Sequence, residues 1–179
     1  MAEGGLLLAA VIVGRAVGVH PFSQFAFTAP ALILGVLTTG PLLLGLGWSL
    51  HTQWPPLARL VTFVEQRLRP LFLGCHPSQL ALIALLAGVA EEALFRGVVQ
   101  LALGRWLSPW GGLTAASLLF GLAHFLTLSY ALVAALVGFY LGGLLLLSGN
   151  LLTPIVVHAL YDLIALIVLI RLEPRNITA

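Results

Sequence analysis

Three short runs in apolar surroundings carry the side chains that could do chemistry together. Gly88-Val-Ala-Glu-Glu-Ala-Leu-Phe-Arg-Gly97 gathers Glu91, Glu92 and Arg96, although only 8% of the 179 residues are charged. Phe120-Gly-Leu-Ala-His124 sets a histidine one turn after a phenylalanine, and His158-Ala-Leu-Tyr-Asp162 sets an imidazole and a carboxylate four apart, on one helical face. Carboxylates and imidazoles are general acids and bases, so the chemistry on offer is proton transfer to and from water. Ser117 is the one alternative nucleophile considered. It lies seven residues before His124 on the same segment, a relation that packing explains at least as well as a catalytic dyad.

Helical geometry gives the two glutamates different work. Glu92 and Arg96 are four apart and can pair. Glu91 points about 100° away, along the face of Ala87, Gly88 and Phe95, where small residues leave room for water or a neighbouring helix. Glu92 with Arg96 therefore reads as structural, and Glu91 as free to react.

The elements that position these groups are membrane helices. The chain is 60% hydrophobic, and a soluble domain would carry about 25% charged residues. The eight cationic side chains are all arginine, scattered, and give a net charge of only +2, which excludes a nucleic-acid partner. Cys75 stands alone, so neither an internal disulfide nor a zinc knuckle can form. The first residues are acidic rather than basic, which favours a retained first span over a cleaved signal peptide.

A bilayer core about 30 Å thick takes roughly 17 to 25 apolar helical residues. On that rule six spans are expected, near 5–20, 27–50, 79–103, 112–128, 130–148 and 151–171. Thr153 and Pro154 fit an N-cap and first-turn proline for the last. Trp48, Trp54, Trp106 and Trp110 fall near span ends, as an aromatic belt would. The stretch 55–74 carries Leu57, Leu60, Val61, Val64, Leu68, Leu71 and Phe72 at helical spacing, with arginines off that stripe. It reads as an amphipathic connecting helix, lying on the membrane or packed on the bundle, with Glu65 and Arg69 one turn apart. Gly138 and Gly142 form a small-xxx-small pattern that predicts close helix packing. The expected fold is thus all-α: one integral membrane domain over 1–179, a bundle of about six transmembrane helices plus the amphipathic helix. Arg59, Arg67, Arg69, Arg171 and Arg175 on one side, against Arg15 and Arg105 on the other, predict both termini in the cytoplasm.

Charges inside such a span are costly. Three of them disfavour insertion by about 7 to 10 kcal/mol on the translocon scale. The twelve Leu, Ile, Val and Phe residues of 79–103 return about 4 to 7 kcal/mol. The charges must then pair or face the bundle interior. At 1.5 Å per residue, Glu91, His124, His158 and Asp162 fall about 18, 12, 20 and 14 Å from the cytoplasmic face of the core. A single membrane histidine is ordinarily an interhelical hydrogen bond; four such groups in one layer read as a site.

At these residues the chain resembles the intramembrane glutamic endopeptidases that include the type II CAAX prenyl proteases and bacteriocin-processing enzymes. Their signatures EExxxR, FxxxH and HxxxN/D stand here as Glu91–Arg96, Phe120–His124 and His158–Asp162, in the same order on separate helices. The resemblance covers Leu80 to Leu172 and implies a catalytic core over 79–172. It implies that Glu91 is the general base activating water, that His124 assists, and that His158 and residue 162 stabilise the oxyanion, with Glu92, Arg96 and Phe120 in support. It also implies no metal or cofactor, and a membrane-associated peptide or protein substrate met within the plasma membrane or another internal membrane. Asp162 departs from the Asn of the best-known CAAX enzymes: ionised, it cannot donate to an oxyanion, and it can instead orient His158. The chain is also shorter on its N-terminal side than the eight-span eukaryotic enzymes, which implies a narrower substrate cradle. Three other readings compete. The same residues could hold zinc in a membrane protease, although no HExxH is present. Membrane glutamates and histidines also form proton relays in transporters, although no internal repeat is evident. A non-catalytic immunity or scaffold protein could keep the fold.

Overall fold

The computed structural model of the chain describes residues 2–171. Leu172 and Arg175, expected in the core limit and the cytoplasmic tail, lie outside the described residues. Among the described residues the fold is all-helical: α1 (Ala2–Val17), α2 (Ala29–Thr38), α3 (Gly40–His51), α4 (Pro55–Arg67), α5 (Arg69–Phe72), α6 (Pro77–Leu94), α7 (Leu101–Leu107), α8 (Pro109–Ala123), α9 (Leu128–Ser148) and α10 (Leu152–Arg171). A π-helical turn, Phe95–Gln100, joins α6 to α7. Ala29–His51, Leu128–Ser148 and Leu152–Arg171 are 23, 21 and 20 residues of apolar helix, each long enough to cross a membrane, beside the shorter apolar helices Gly4–Val17 and Pro109–Ala123. The molecule is a polytopic membrane protein.

Several expected boundaries shift for identifiable reasons. The second span breaks at Thr39, because Pro41 has no N–H to continue the helix. Tyr140 of α9 donates to the Thr38 carbonyl at that break, at 2.6 Å. The third span runs on from Pro77 to Leu107 in pieces of 18, 6 and 7 residues. The fourth ends at Ala123 instead of continuing to 128. There the Phe120 carbonyl accepts from both the His124 N–H, at 3.2 Å, and His124 Nδ1, at 2.9 Å, so a side chain closes the helix. Thr127 starts α9 by accepting the Tyr130 N–H at 3.1 Å. The cap expected of Thr153 falls instead to Asn150, whose Oδ1 accepts the Leu152 N–H at 3.0 Å, while the Thr153 hydroxyl donates to the Ala31 carbonyl of α2.

The helices alternate between two ends. At one, Arg105 of α7 donates to the Val17 and Gly18 carbonyls after α1, and Asn150 holds Ala26 through both of its backbone polar groups. At the other, Arg69 donates to the Leu169 and Ile170 carbonyls in the last turn of α10, where the helix dipole favours a cation. The amphipathic helix α4 buries Leu57, Val61 and Glu65 on one face and leaves Arg59 and Arg67 exposed. Trp48, Trp54, Trp106 and Trp110 are all more than half exposed, as side chains facing lipid or its interface would be.

The helix α9 sets the shape of the interior. Near its turn into α10, Leu141 and Leu144 pack on Val157, and Leu145 packs on Leu151 and Ile155. Toward its start it turns to α8 and the π turn, where Ala134 packs on Phe95 and Phe120. The paired glycines give its inner side a special use. Arg96 Nη2 donates to the Gly138 carbonyl and Gln100 Nε2 to the Gly142 carbonyl, each at 3.0 Å. A Cβ on Gly142 would collide with Leu113 and with Gln100 Oε1, whereas one on Gly143 meets nothing within 4 Å. Gly142→Ala should therefore destabilise the protein by about 1 to 3 kcal/mol, the usual cost of overpacking. Gly143→Ala should be neutral or better, and thermal unfolding in detergent separates the two. Equal melting temperatures would mean that the Gln100 contact yields freely.

Candidate active site

Three helices bring Glu91, Glu92, His124, His158 and Asp162 to one place. Glu91 and Glu92 end α6, immediately before the π turn; His124 closes α8; His158 and Asp162 share a face of α10. Gly88, one turn before Glu91 and Glu92, lets α10 approach: a Cβ there would stand 3.1 Å from the Ala159 nitrogen.

At the bottom of the cluster Glu92 is wholly buried. Its Oε1 accepts from Arg96 Nη1 and from His158 Nδ1, both at 2.7 Å. Arg96, itself 1% exposed, reaches Gly138 with its other nitrogen and lies 4.5 Å over the Phe120 ring. Glu92 is therefore more than Arg96's partner. It also orients the His158 ring and fixes a proton on Nδ1, leaving Nε2 turned toward Glu91 and Asp162. Nothing in the i, i+4 spacing signalled this contact, which joins residues 66 apart.

Above it, Glu91 Oε2 faces both imidazoles. His124 Nε2 is 3.5 Å away and His158 Nε2 is 3.9 Å away. His158 Nε2 also faces Asp162 Oδ2 at 3.4 Å. The Phe120 carbonyl, an acceptor, places the His124 proton on Nδ1, so the lone pair of neutral His124 is on the side of Glu91. The Glu91 Oε2 atom is buried and accepts no hydrogen bond from any described residue. Side-chain exposure falls from 32% at Asp162 and 27% at His124 to 15% at Glu91 and 8% at His158, so His124 and Asp162 form the outer edge of the cluster. Among the described residues no group of three His, Cys, Asp or Glu side chains is arranged to hold a metal ion.

Phe120 is the hub of the aromatic wall. Its ring stands edge-on to Phe95 at 5.0 Å and lies 4.3 Å from the His124 ring, at 34°. On the other side of His124 comes Tyr130, centroids 6.3 Å apart and rings 26° from parallel. Sequence reasoning singled out Phe120 but passed over Tyr130 and Gln100. Tyr130 follows a turn-like break and looks like an interfacial aromatic, while Gln100 is revealed only by its glycine partner on α9.

The fold and this cluster define a helical membrane protein with a carboxylate facing two imidazoles inside the bundle. Residues 75–164, half the chain, match the family model described as type II CAAX prenyl endopeptidase Rce1-like. The chain belongs to that family. It is also similar to the uncharacterized protein YpbD of Bacillus subtilis (strain 168), 39% identical over 83 residues. That alignment covers 45% of this chain and 40% of the Bacillus protein, so the chain spans well under two thirds of that relative. No solved structure matches the chain.

Proposed function

We propose that the protein is an intramembrane endopeptidase of the CAAX type that hydrolyses a peptide bond in a membrane-associated peptide or protein with a glutamate-activated water. One observation carries the reading: Glu91 Oε2, buried and without a hydrogen bond to any described residue, faces two imidazole nitrogens. Water entering past His124 and Asp162 comes within reach of Glu91 Oε2 and His124 Nε2. Glu91 takes one proton as the water oxygen bonds to the carbonyl carbon. The carbonyl π pair becomes the oxyanion, which His158 stabilises as an imidazolium, its Nδ1–H on Glu92 and its Nε2–H toward the oxyanion. Collapse re-forms the carbonyl, breaks the C–N bond and returns the proton from Glu91 to the leaving nitrogen, with His124 assisting both transfers. Asp162 acts by holding His158.

The chain works as one membrane domain. The α6–α10 segment carries every reacting group, and α1–α5 support it. The end bearing His124, α4 and the C-terminus of α10 is the cytoplasmic one, in keeping with the arginine distribution, so both termini are inside.

The activity does not depend on metal. Purified protein is expected to cleave an internally quenched farnesylated peptide ending in a CAAX sequence in excess EDTA. Loss of activity on chelation, restored by zinc, would establish a metalloprotease instead. Natural substrates are those that accumulate in membranes of a Glu91→Gln strain, read by comparative proteomics.

A further inference from the structure

Away from the acid–base cluster, one cavity brings together a cation and two hydroxyls, with no carboxylate in its lining. It has a volume of about 270 Å³, lies between α4 and the start of α9, and is lined by Pro56, Arg59, Leu60, Thr127 and Ser129. Arg59 is exposed and has no ion pair or hydrogen bond to any described residue. Thr127 Oγ1 accepts the Tyr130 N–H, so its own proton remains to be donated. The half-buried Ser129 hydroxyl likewise donates to no described residue. A guanidinium, always charged and carrying five donors, beside two free hydroxyl protons suits an acceptor-only anion, a carboxylate or a phosphate.

The turn between α8 and α9 ties this cavity to the active site. His124 ends α8, and its carbonyl accepts the Leu126 N–H at 2.8 Å, which folds the turn tightly. Thr127 comes next, three residues from His124, a stretch of chain that spans at most about 10 Å. Tyr130, whose N–H Thr127 holds, has its ring 6.3 Å from that of His124. An anion in the cavity is therefore only a few peptide residues from the groups that act on the scissile carbonyl. A substrate ending in a CAAX sequence carries such an anion. Its terminal carboxylate stands three residues beyond the cysteine, and three extended residues span the same distance of about 10 Å.

Resting on the endopeptidase reading, we infer that this cavity is the subsite for the substrate's terminal carboxylate, with Arg59 as the specificity-determining residue and the Thr127 and Ser129 hydroxyls as further donors. The subsite makes the protein a reader of free C-termini. A peptide held by its last residue sets the bond a few residues upstream before Glu91, so one ion pair selects the substrate and fixes where it is cut. Pro56 and Leu60 offer the last side chain an apolar wall. Binding there is non-covalent and moves no proton, so the exchange between water, Glu91 and the leaving nitrogen is unaffected.

The probe is the internally quenched farnesylated peptide ending in a CAAX sequence, made once with a free terminal carboxylate and once with a terminal amide. Both are assayed on wild type, Arg59→Gln, Arg59→Lys and Arg67→Gln, in nanodiscs with and without anionic phospholipid. Arg67, further along α4 and also exposed, controls for charge at the membrane surface. Wild type and Arg67→Gln are expected to cleave the acid about 10- to 100-fold better than the amide in kcat/KM, chiefly through KM, as one charge-assisted pair provides. In Arg59→Gln the two peptides should fall within about twofold of each other. Arg59→Lys, which keeps the charge and loses the planar fork, should recover part of the preference. A wild type that does not distinguish acid from amide overturns the subsite, and so does a preference that survives in Arg59→Gln. A loss in Arg59→Gln that is equal for both peptides, and seen only with anionic phospholipid, gives the cavity to a lipid phosphate and overturns it too. In each of these cases wild-type cleavage leaves the endopeptidase reading standing. A wild type silent on both peptides overturns that reading and the subsite with it.

Discussion

Glu91→Gln is expected to leave a folded, detergent-stable protein whose turnover is lower by at least about 10² to 10⁴-fold, the usual worth of general base catalysis. The substitution keeps the size of the side chain but cannot take a proton from water. Stability should hold, because Glu91 Oε2 is buried and receives no hydrogen bond from any described residue. Desolvating a carboxylate there is unfavourable, and an amide in its place costs less. Glu91→Asp should be nearly as damaging for a different reason. Removing one methylene draws the oxygen roughly 1 Å back from the water, and displacements of that size are costly in an oriented site. Both variants should bind peptide with a KM near that of wild type, since neither removes a contact to the substrate chain. A stable Glu91→Gln protein with near-wild-type cleavage would falsify the glutamate mechanism and put the base on another residue. Loss of cleavage together with loss of fold would instead make Glu91 a structural residue, and circular dichroism and thermal unfolding of the purified variant decide between these outcomes.

How much of the molecule is legible in its sequence differs from element to element, and each difference has a cause. The all-helical membrane fold follows from composition and from the length of the apolar runs, which no soluble packing could cover. The separation of Glu91 from Glu92 follows from the angle between adjacent helical residues. Contacts between helices are another matter. Glu92 and His158 are 66 residues apart, and their hydrogen bond depends on α10 crossing α6 at Gly88, a close approach that spacing within one helix cannot express. The π turn at Phe95–Gln100 is equally hidden. It is a local insertion into an otherwise ordinary helical run, marked by no proline, and it sits where Arg96 and Gln100 reach across to α9. No proline or glycine follows the early end of α8 to announce it either. It depends on the His124 side chain bonding back to the carbonyl of Phe120, so the residue read as lying deep within a span is the one that terminates it. Tyr130 escaped notice because an aromatic at the start of a span is ordinarily an interfacial anchor; only the ring beside it gives it another meaning.

The largest stability effects should come from Glu92→Ala and Arg96→Ala, and they should be opposite in kind to those of Glu91. Glu92 is wholly buried and serves Arg96 and His158 from a single oxygen. Its removal strands a guanidinium that is 1% exposed, with only the Gly138 carbonyl and the Phe120 face left to it. Breaking a buried pair in this way typically costs about 3 to 5 kcal/mol, because a charge remains in low dielectric without its counter-charge. Arg96→Ala strands Glu92 with His158 alone, and also removes the tie to α9 and the cation over Phe120, so its cost should be at least as large. Arg96→Lys distinguishes charge from geometry. An ammonium supplies the charge but not the planar fork that spans Glu92 and Gly138 together, so only part of the stability should return. Since the two residues act through one hydrogen bond, the double variant Glu92→Ala/Arg96→Ala should lose clearly less than the sum of the single losses. Cleavage should fall in Glu92→Ala even where folded protein is recovered, because His158 loses the group that fixes its ring. Unchanged melting temperatures in both single variants would show that the pair is solvated, and that the π turn and α9 are held together by the Gln100–Gly142 bond and the packing at both glycines.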